Sequence, residues 1–363
     1  MSVSCGIVGL PNVGKSTIFN ALTAAKAEQG NYPFCTIEPN VAVVEVPDEN
    51  LGIIHRFIQT DRVLPAVCRI TDIAGLIKGA SQGEGMGNQF LANIRESDAI
   101  MQVVRCFEGS AVLRDGAVDP IDDIEVIELE LALADLETVT KTLERALKKT
   151  RSGDKEAFAA VEVLERAKSL LEEGKMLRLE TWKPDEKAVL KPLCLMTSKR
   201  MLYVANVADD DLDGQSEHAQ NVAARAKASG ANWVPICGDI ECELRQMDEE
   251  DRRSFMAELG IEKLGLHRLV RAVYDVLDLQ TFYTAGEKEI RAWTVHKGEL
   301  APQAAGVIHT DFEKAFIRAE IFSVEDLAAF KSEAAIRSAG KLRTEGRDYA
   351  MREGDICHFL LGK

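Results

Sequence analysis

The sequence contains no C-x-x-C pair: its eight cysteines, Cys5, Cys35, Cys68, Cys106, Cys194, Cys237, Cys242 and Cys357, are scattered. In a chain of 363 residues this excludes a disulfide framework and suits reduced thiols. Cys237 and Cys242 come nearest to half a zinc site, and no second pair follows them. Long apolar runs are missing too. The longest stretch without a charged residue, Met1–Gly14, is too short to cross a bilayer and is broken by glycines. No basic segment precedes it, so a signal peptide is not expected. Basic charge is in deficit, with 44 Lys and Arg against 59 Asp and Glu and a net charge of −15. That excludes a whole-surface nucleic-acid coat while leaving room for a local basic patch. Internal repeats and low-complexity tracts are absent. The expectation is a cytoplasmic protein, monomeric, with no membrane partner.

What is present is a globular composition, 46% hydrophobic and 28% charged, at a length that suits two or three domains. The runs Val3–Val8, Val41–Val46, Ala66–Asp72 and Ala99–Arg105 read as strands, with helices at Lys15–Ala25 and Asn88–Ser97 between them. Strands alternating with helices imply a mostly parallel sheet covered on both faces. From Asp122 to about Gly174 the strand signal vanishes, and Leu129, Leu133, Leu136, Leu143 and Leu147 recur at helical spacing. A second series, Ala157, Val161, Leu164, Ala167 and Leu171, follows the break at Ser152-Gly153-Asp154, so the pair reads as an antiparallel helical hairpin. Strand signal returns at Leu202–Asn206 and Trp233–Cys237, with helices near Ser216–Ser229 and Leu266–Leu277. The hairpin, over 122–195, is therefore an insertion into an α/β domain spanning 1–280. Residues 282–363 are nearly neutral and mix strands at Glu289–Thr294, Ala315–Ile321 and Asp355–Leu361 with two helices, which predicts a small α+β domain over 281–363.

Residues 9–16 read Gly9-Leu10-Pro11-Asn12-Val13-Gly14-Lys15-Ser16, the pattern G-x-x-x-x-G-K-S, between an expected strand and an expected helix. Glycines let main-chain N–H groups curl around a phosphate without Cβ clashes, and the following helix presents its positive N-terminus. Lys15 supplies a mobile charge for the β- and γ-phosphates, and the Ser16 hydroxyl suits a Mg²⁺ ligand. Asp72-Ile73-Ala74-Gly75 ends a strand, where Asp72 can hold a Mg²⁺-bound water and the Gly75 N–H can meet a γ-phosphate. Thr36, in the loop after the first helix, can complete the Mg²⁺ shell.

With these elements in order, the sequence resembles the Obg-related branch of the translation-factor-like P-loop GTPases. Gly9 to Thr17, Tyr32-Pro33-Phe34 and the run from Asp72 to Gly85 carry that resemblance. The stretch Gly75–Glu96, the helical hairpin and the C-terminal block are similar to those of the YchF-type ribosome-binding ATPases. The C-terminal block resembles a TGS domain, a ubiquitin-like β-grasp module, through Gly298, His309–Arg318 and Gly354-Asp355-Ile356. The resemblance implies a nucleotide site over Asn12, Val13, Gly14, Lys15, Ser16 and Thr17. It further implies Mg²⁺ on Ser16 and Thr36, base contacts around Asn206, and the ribosome and its large subunit as partner.

Guanine readers use N-K-x-D, and this chain has Asn206-Val207-Ala208-Asp209, without the lysine. Such a departure is shared with YchF-type proteins and favours ATP, while the carboxylate of Asp209 could still take guanine's two donors, so GTP stays open. Directly after D-x-x-G stands Leu76, which cannot orient water as the glutamine of Ras-like enzymes does. Hydrolysis is then slow or assisted, either by K⁺ on Asn12, as in some relatives with that asparagine, or by Arg114 acting in cis. Six cations, Lys141, Arg145, Lys148, Lys149, Arg151 and Lys155, crowd the hairpin tip and suit rRNA phosphates, or else are a solvated helix face. In the last domain Arg291, Lys297, Lys314, Arg318 and Lys331, with Trp293, are a second set of candidate RNA contacts. A nucleotide-gated RNA-binding module with negligible turnover and a phosphotransferase are the competing functional classes.

Overall fold

The computed structural model describes residues 3–24, 40–73, 86–108, 117–151 and 154–362. Its strands are β1 (Ser4–Val8), β2 (Val41–Glu45), β3 (Val63–Leu64), β4 (Val67–Asp72), β5 (Ala99–Arg105), β6 (Arg200–Asn206), β7 (Asn232–Ile236), β8 (Leu279–Ala285), β9 (Ile290–His296), β10 (Phe316–Ser323), β11 (Arg343–Glu345) and β12 (Asp355–Leu361). They form two sheets, in the orders β2-β4-β1-β5-β6-β7 and β11-β10-β12-β8-β9-β3. The chain groups into two compact units. The first holds Arg69–Val273 and the residues up to Ala24; the second holds Val43–Cys68 and the residues from Tyr274 onward.

In the first unit, β4, β1, β5, β6 and β7 pair in parallel, as β-branched runs joined by helical crossovers require. Every residue of β5 is buried, and β6 is buried from its second residue on, as befits central strands covered on both faces. The direction of strand addition reverses at β1, which has β4 on one side and β5 on the other. Crevices for ligands form at the C-terminal ends of strands flanking such a reversal. The segment Gly9–Ser16 leaves β1 at that end.

The helical insertion consists of Pro120–Thr150 and Lys155–Glu172. Asp119 caps the first helix by accepting from Ile121 N and Asp122 N, and Pro120 sits in its first turn. Asp154 caps the second in the same way. The leucine series expected to form the seam does so only in part: Leu143 is buried, but Leu129, Leu133 and Leu147 are exposed. The reason is that one helix serves two cores. Ile124, Ile127, Leu131 and Ala134 pack into the core over the sheet. Ala132, Val139, Leu143 and Ala146 pack with Val163, Leu164, Ala167 and Leu171 of the second helix. Alanines and β-branched residues, which a leucine count overlooks, define both faces.

A buried carboxylate ties the insertion to the sheet. Glu128 lies 5% exposed and accepts from Arg178 Nη2 at 2.5 Å, Arg225 Nη2 at 2.5 Å and Tyr203 Oη at 2.8 Å. Burial alone would raise its pKa, but Arg178, Tyr203 and Arg225 together hold it below the ordinary glutamate range.

In the second unit, β8 and β12 lie side by side in parallel, with β9 antiparallel to β8 and β10 antiparallel to β12. First and last strands of the block thus meet at the centre of the sheet, the β-grasp arrangement. Phe282, Val295, Phe316, Ala319, Ile321 and Cys357 pack against Ala301, Ala304 and Ala305 of the helix Ala301–Ile308. Val43–Cys68, expected within the domain spanning 1–280, groups with this unit. The helix Glu49–Phe57 buries only Leu51 and Ile54, too sparse a pattern to read from sequence. Tyr283 Oη donates to Asp48 Oδ2 at 2.7 Å, and Val63 pairs with Ile290 in a parallel register.

Removing one member of a buried ion network leaves the others uncompensated. Glu128→Ala is expected to destabilise the fold by about 3–5 kcal/mol, read as a lower urea midpoint. Because the folded pKa of Glu128 is depressed, its contribution is present above the unfolded glutamate pKa and is lost as pH falls through the folded value. Glu128→Gln should therefore flatten the acid limb of a stability-versus-pH curve; an unchanged limb would refute the assignment.

Candidate functional site

Two consecutive carbonyls of the phosphate-binding segment, and one just after it, accept hydrogen bonds from side chains of other elements. Asn206 Nδ2 donates to Val13 O at 3.0 Å. Arg105 Nη1 donates to Asn12 O at 3.5 Å. Cys242 Sγ donates to Thr17 O at 3.4 Å, at the start of the helix Lys15–Ala24. Carbonyls engaged by side chains are not free to oppose an anion, which suits a loop that binds phosphate through its main-chain amides. Asn12 has φ 65° and Gly14 φ 90°, the left-handed conformations that curl the segment. Gly14 is required for space as well: a Cβ there would lie 2.0 Å from Asn206 Nδ2. Ile18 N donates to Gly14 O at 3.0 Å, so helical bonding begins at once after the loop.

Lys15 and Asp72 are brought together. The Lys15 ammonium forms an ion pair with Asp72 Oδ1, and their side chains are 11% and 22% exposed. Asp72 is the last residue of β4 and faces Ile7 of β1 in register, so the strand ends alone set this meeting. Of the candidate Mg²⁺ groups, the Asp72 carboxylate lies against the lysine that would meet phosphate, and Ser16 follows that lysine in sequence. They are hard oxygen donors, and they fit a Mg²⁺–triphosphate chelate, which presents negative phosphates to a lysine and a cation to a carboxylate.

On the base side Asn206, the last residue of β6, is 4% exposed. Its Oδ1 accepts from Gly238 N at 3.1 Å while its Nδ2 holds Val13 O. One amide thus bridges the phosphate loop and the turn after β7. Val207 is buried and its N donates to Ile236 O at 3.0 Å. Asp209 is exposed, in a turn that Asp211 organises by accepting from Gln215 N and Ser216 N. Thr36, Gly75, Leu76 and Arg114 lie outside the described residues, as does Tyr32-Pro33-Phe34. Sequence reasoning missed Arg105, Gly238 and Cys242. Arg105 was legible only as a strand end; what marks it is its register pairing with Asn206, which no linear pattern reports.

The tip cations Arg145, Lys148, Lys149, Arg151 and Lys155 are all exposed, and Lys141 is paired with Glu137 one turn back. Phe158, on the second helix, is 57% exposed beside them in sequence. In the second unit the Arg291 guanidinium stacks over Trp293 at 4.2 Å.

Fold and loop together define a P-loop nucleoside triphosphatase. The profile of the 50S ribosome-binding GTPases matches residues 4–160. That of the YchF GTPase C-terminal region, described as a protein of unknown function, matches 279–361. The chain is 50% identical over 361 residues to the ribosome-binding ATPase YchF of Escherichia coli O157:H7, with 99% of each chain covered. It is 47% identical over 362 residues to the ribosome-binding ATPase YchF of Bacillus subtilis, again covering 99% of each. The structure of the Schizosaccharomyces pombe YchF GTPase superposes with a TM-score of 0.89 at 38% identity, covering 99% of this chain and 98% of that one. The chain belongs to the YchF family.

Gly14→Ala is expected to abolish nucleotide binding and to lower the melting temperature, with binding measured at a temperature where the variant is still folded. Its added methyl strikes Asn206 and demands a positive φ from alanine. Isothermal calorimetry checks this, and a variant that binds normally would show that the loop tolerates a different shape.

Proposed function

We propose that this protein is a Mg²⁺-dependent ATPase that binds the ribosome, with its nucleotide state altering that hold. The observation that carries the reading is the phosphate loop braced by Arg105 and Asn206, with Lys15 at its end, in a chain that matches ribosome-binding ATPases along its whole length. Ser16 would ligate Mg²⁺, Asp72 would hold one of its waters, and Thr36 would complete the shell. The ion neutralises charge on the β- and γ-phosphates when bound. Lys15 trades its partner Asp72 for phosphate oxygens, and Asp72 is thereby freed for the metal-bound water.

Adenine is preferred over guanine on the following ground. Asp209 is exposed, so its carboxylate keeps its water and adenine meets no desolvated, unpaired acid. The absence of the motif lysine removes a group that guanine readers use. Asn12 is the candidate K⁺ ligand and the Gly75 N–H the candidate γ-phosphate donor; Leu76 gives no help to water, so unassisted turnover is slow, with K⁺ or Arg114 as the assisting group. The six tip cations fit rRNA phosphates of the large subunit, on a protein whose net charge is −15. The β-grasp block is the TGS domain.

Lys15→Ala should remove ATP binding in calorimetry, while the parent binds ATP more tightly than GTP and turns it over faster in K⁺ than in Na⁺. Retained affinity in Lys15→Ala would end the nucleotide reading. Replacing Lys148, Lys149 and Arg151 by Glu should cut ribosome co-sedimentation by about tenfold or more, since three neutralised phosphate contacts are lost, with ATP affinity unchanged. Undiminished co-sedimentation would move the RNA contact elsewhere.

A further inference from the structure

The sequence lacks the lysine that would follow Asn206 in a guanine reader; Val207 stands there, 2% exposed. A cation nonetheless reaches the phosphate loop, from the neighbouring strand. Arg105 ends β5 as Asn206 ends β6, and the two residues are register partners. Their side chains donate to consecutive loop carbonyls, Arg105 to Asn12 O and Asn206 to Val13 O. Arg105 is 3% exposed, so its charge sits in a medium that screens it little. The guanidinium is fixed on its other side too: Nε donates to Phe107 O at 3.1 Å, and the group lies over the Phe107 ring at 4.5 Å. A buried arginine held at three points is a rigid brace, with little side-chain entropy left to lose when a ligand arrives.

We infer that Arg105 is a positioning residue for nucleotide binding: it supplies from β5 the fixed cation that the strand end at Val207 lacks, and it keeps the amides of residues 12–15 turned towards the phosphates. Two effects follow from one side chain. The carbonyl of Asn12 is prevented from turning inward, where it would oppose phosphate oxygens. A permanent positive charge also lies behind the loop and favours the polyphosphate anion. Asn12 O is thereby occupied by the protein's own cation.

The inference rests on the nucleotide-binding reading above, so the parent is titrated alongside every variant with fluorescent ATP and ADP analogues in Mg²⁺. Arg105→Ala is expected to weaken both nucleotides by about threefold to tenfold, through the lost positive charge behind the loop and the looser loop. At saturating ATP, kcat should stay within about twofold, so that kcat/KM falls through KM. Arg105→Lys, which keeps the charge but not the guanidinium fork or its stacking on Phe107, should recover only part of the lost affinity, binding better than alanine and worse than the parent. Arg105→Met keeps the stem over Phe107 and carries the same test should the alanine variant not fold. An uncharged variant that binds within about twofold of the parent at 25 °C, or whose apparent loss of binding matches its unfolded fraction, overturns the inference; so does a lysine variant no better than alanine. A parent that binds neither analogue would instead remove the nucleotide reading itself.

Discussion

The side-chain amide of Asn206 is the contact on which the site depends. It occupies the space a Cβ at Gly14 would need, gives one N–H to Val13 O and accepts Gly238 N. A single buried group thus fixes the loop after β1, the end of β6 and the turn after β7 in one arrangement. Hydrogen bonding within a buried amide is worth about 1 kcal/mol net per bond, but an unmade bond there costs more. The geometry is therefore close to all-or-none: the loop is held open for phosphate, or three strand ends lose their common anchor. The Lys15–Asp72 pair is set beside it by the pairing of β4 with β1.

The parallel sheet explains why so few residues suffice. Register, fixed over β4, β1, β5, β6 and β7, delivers Asp72, Arg105 and Asn206 to one edge, with Gly238 two residues beyond the end of β7. Strand ends are stiff because their own ladders are buried on both faces, and side chains emerging from them inherit that stiffness.

Much of this was legible in the sequence, and the reason is local. Gly9–Ser16, the strands at Ala99–Arg105 and Asp355–Leu361, and the helices bearing Ala219 and Val273 announce themselves through spacing that depends on near neighbours in the chain. What escaped was set by partners far away. Leu129 and Leu133 have helical spacing but face solvent, because Ile127, Leu131 and Ala134 compete better for the sheet. Glu49–Phe57 carries little apolar signal, and its membership of the C-terminal unit comes from Tyr283 and β9, more than two hundred residues downstream. Arg105 reads as an ordinary strand terminus until the register places Asn206 beside it. The absence of lysine after Asn206 was visible at once; the residue that compensates was not.

The helix Pro120–Thr150 runs unbroken from the core over the sheet into the core of the hairpin. Leverage follows from that continuity. Thr150 lies 22 residues beyond Glu128, about 33 Å along the axis, so a tilt of about 5° at the carboxylate swings the far end by about 3 Å. Tyr203, which grips that carboxylate, precedes Asn206 by three residues on the same strand. Displacements too small to disturb packing near the nucleotide would thus be magnified into atomic-scale travel at the remote basic end, on the scale that separates an engaged phosphate contact from a broken one.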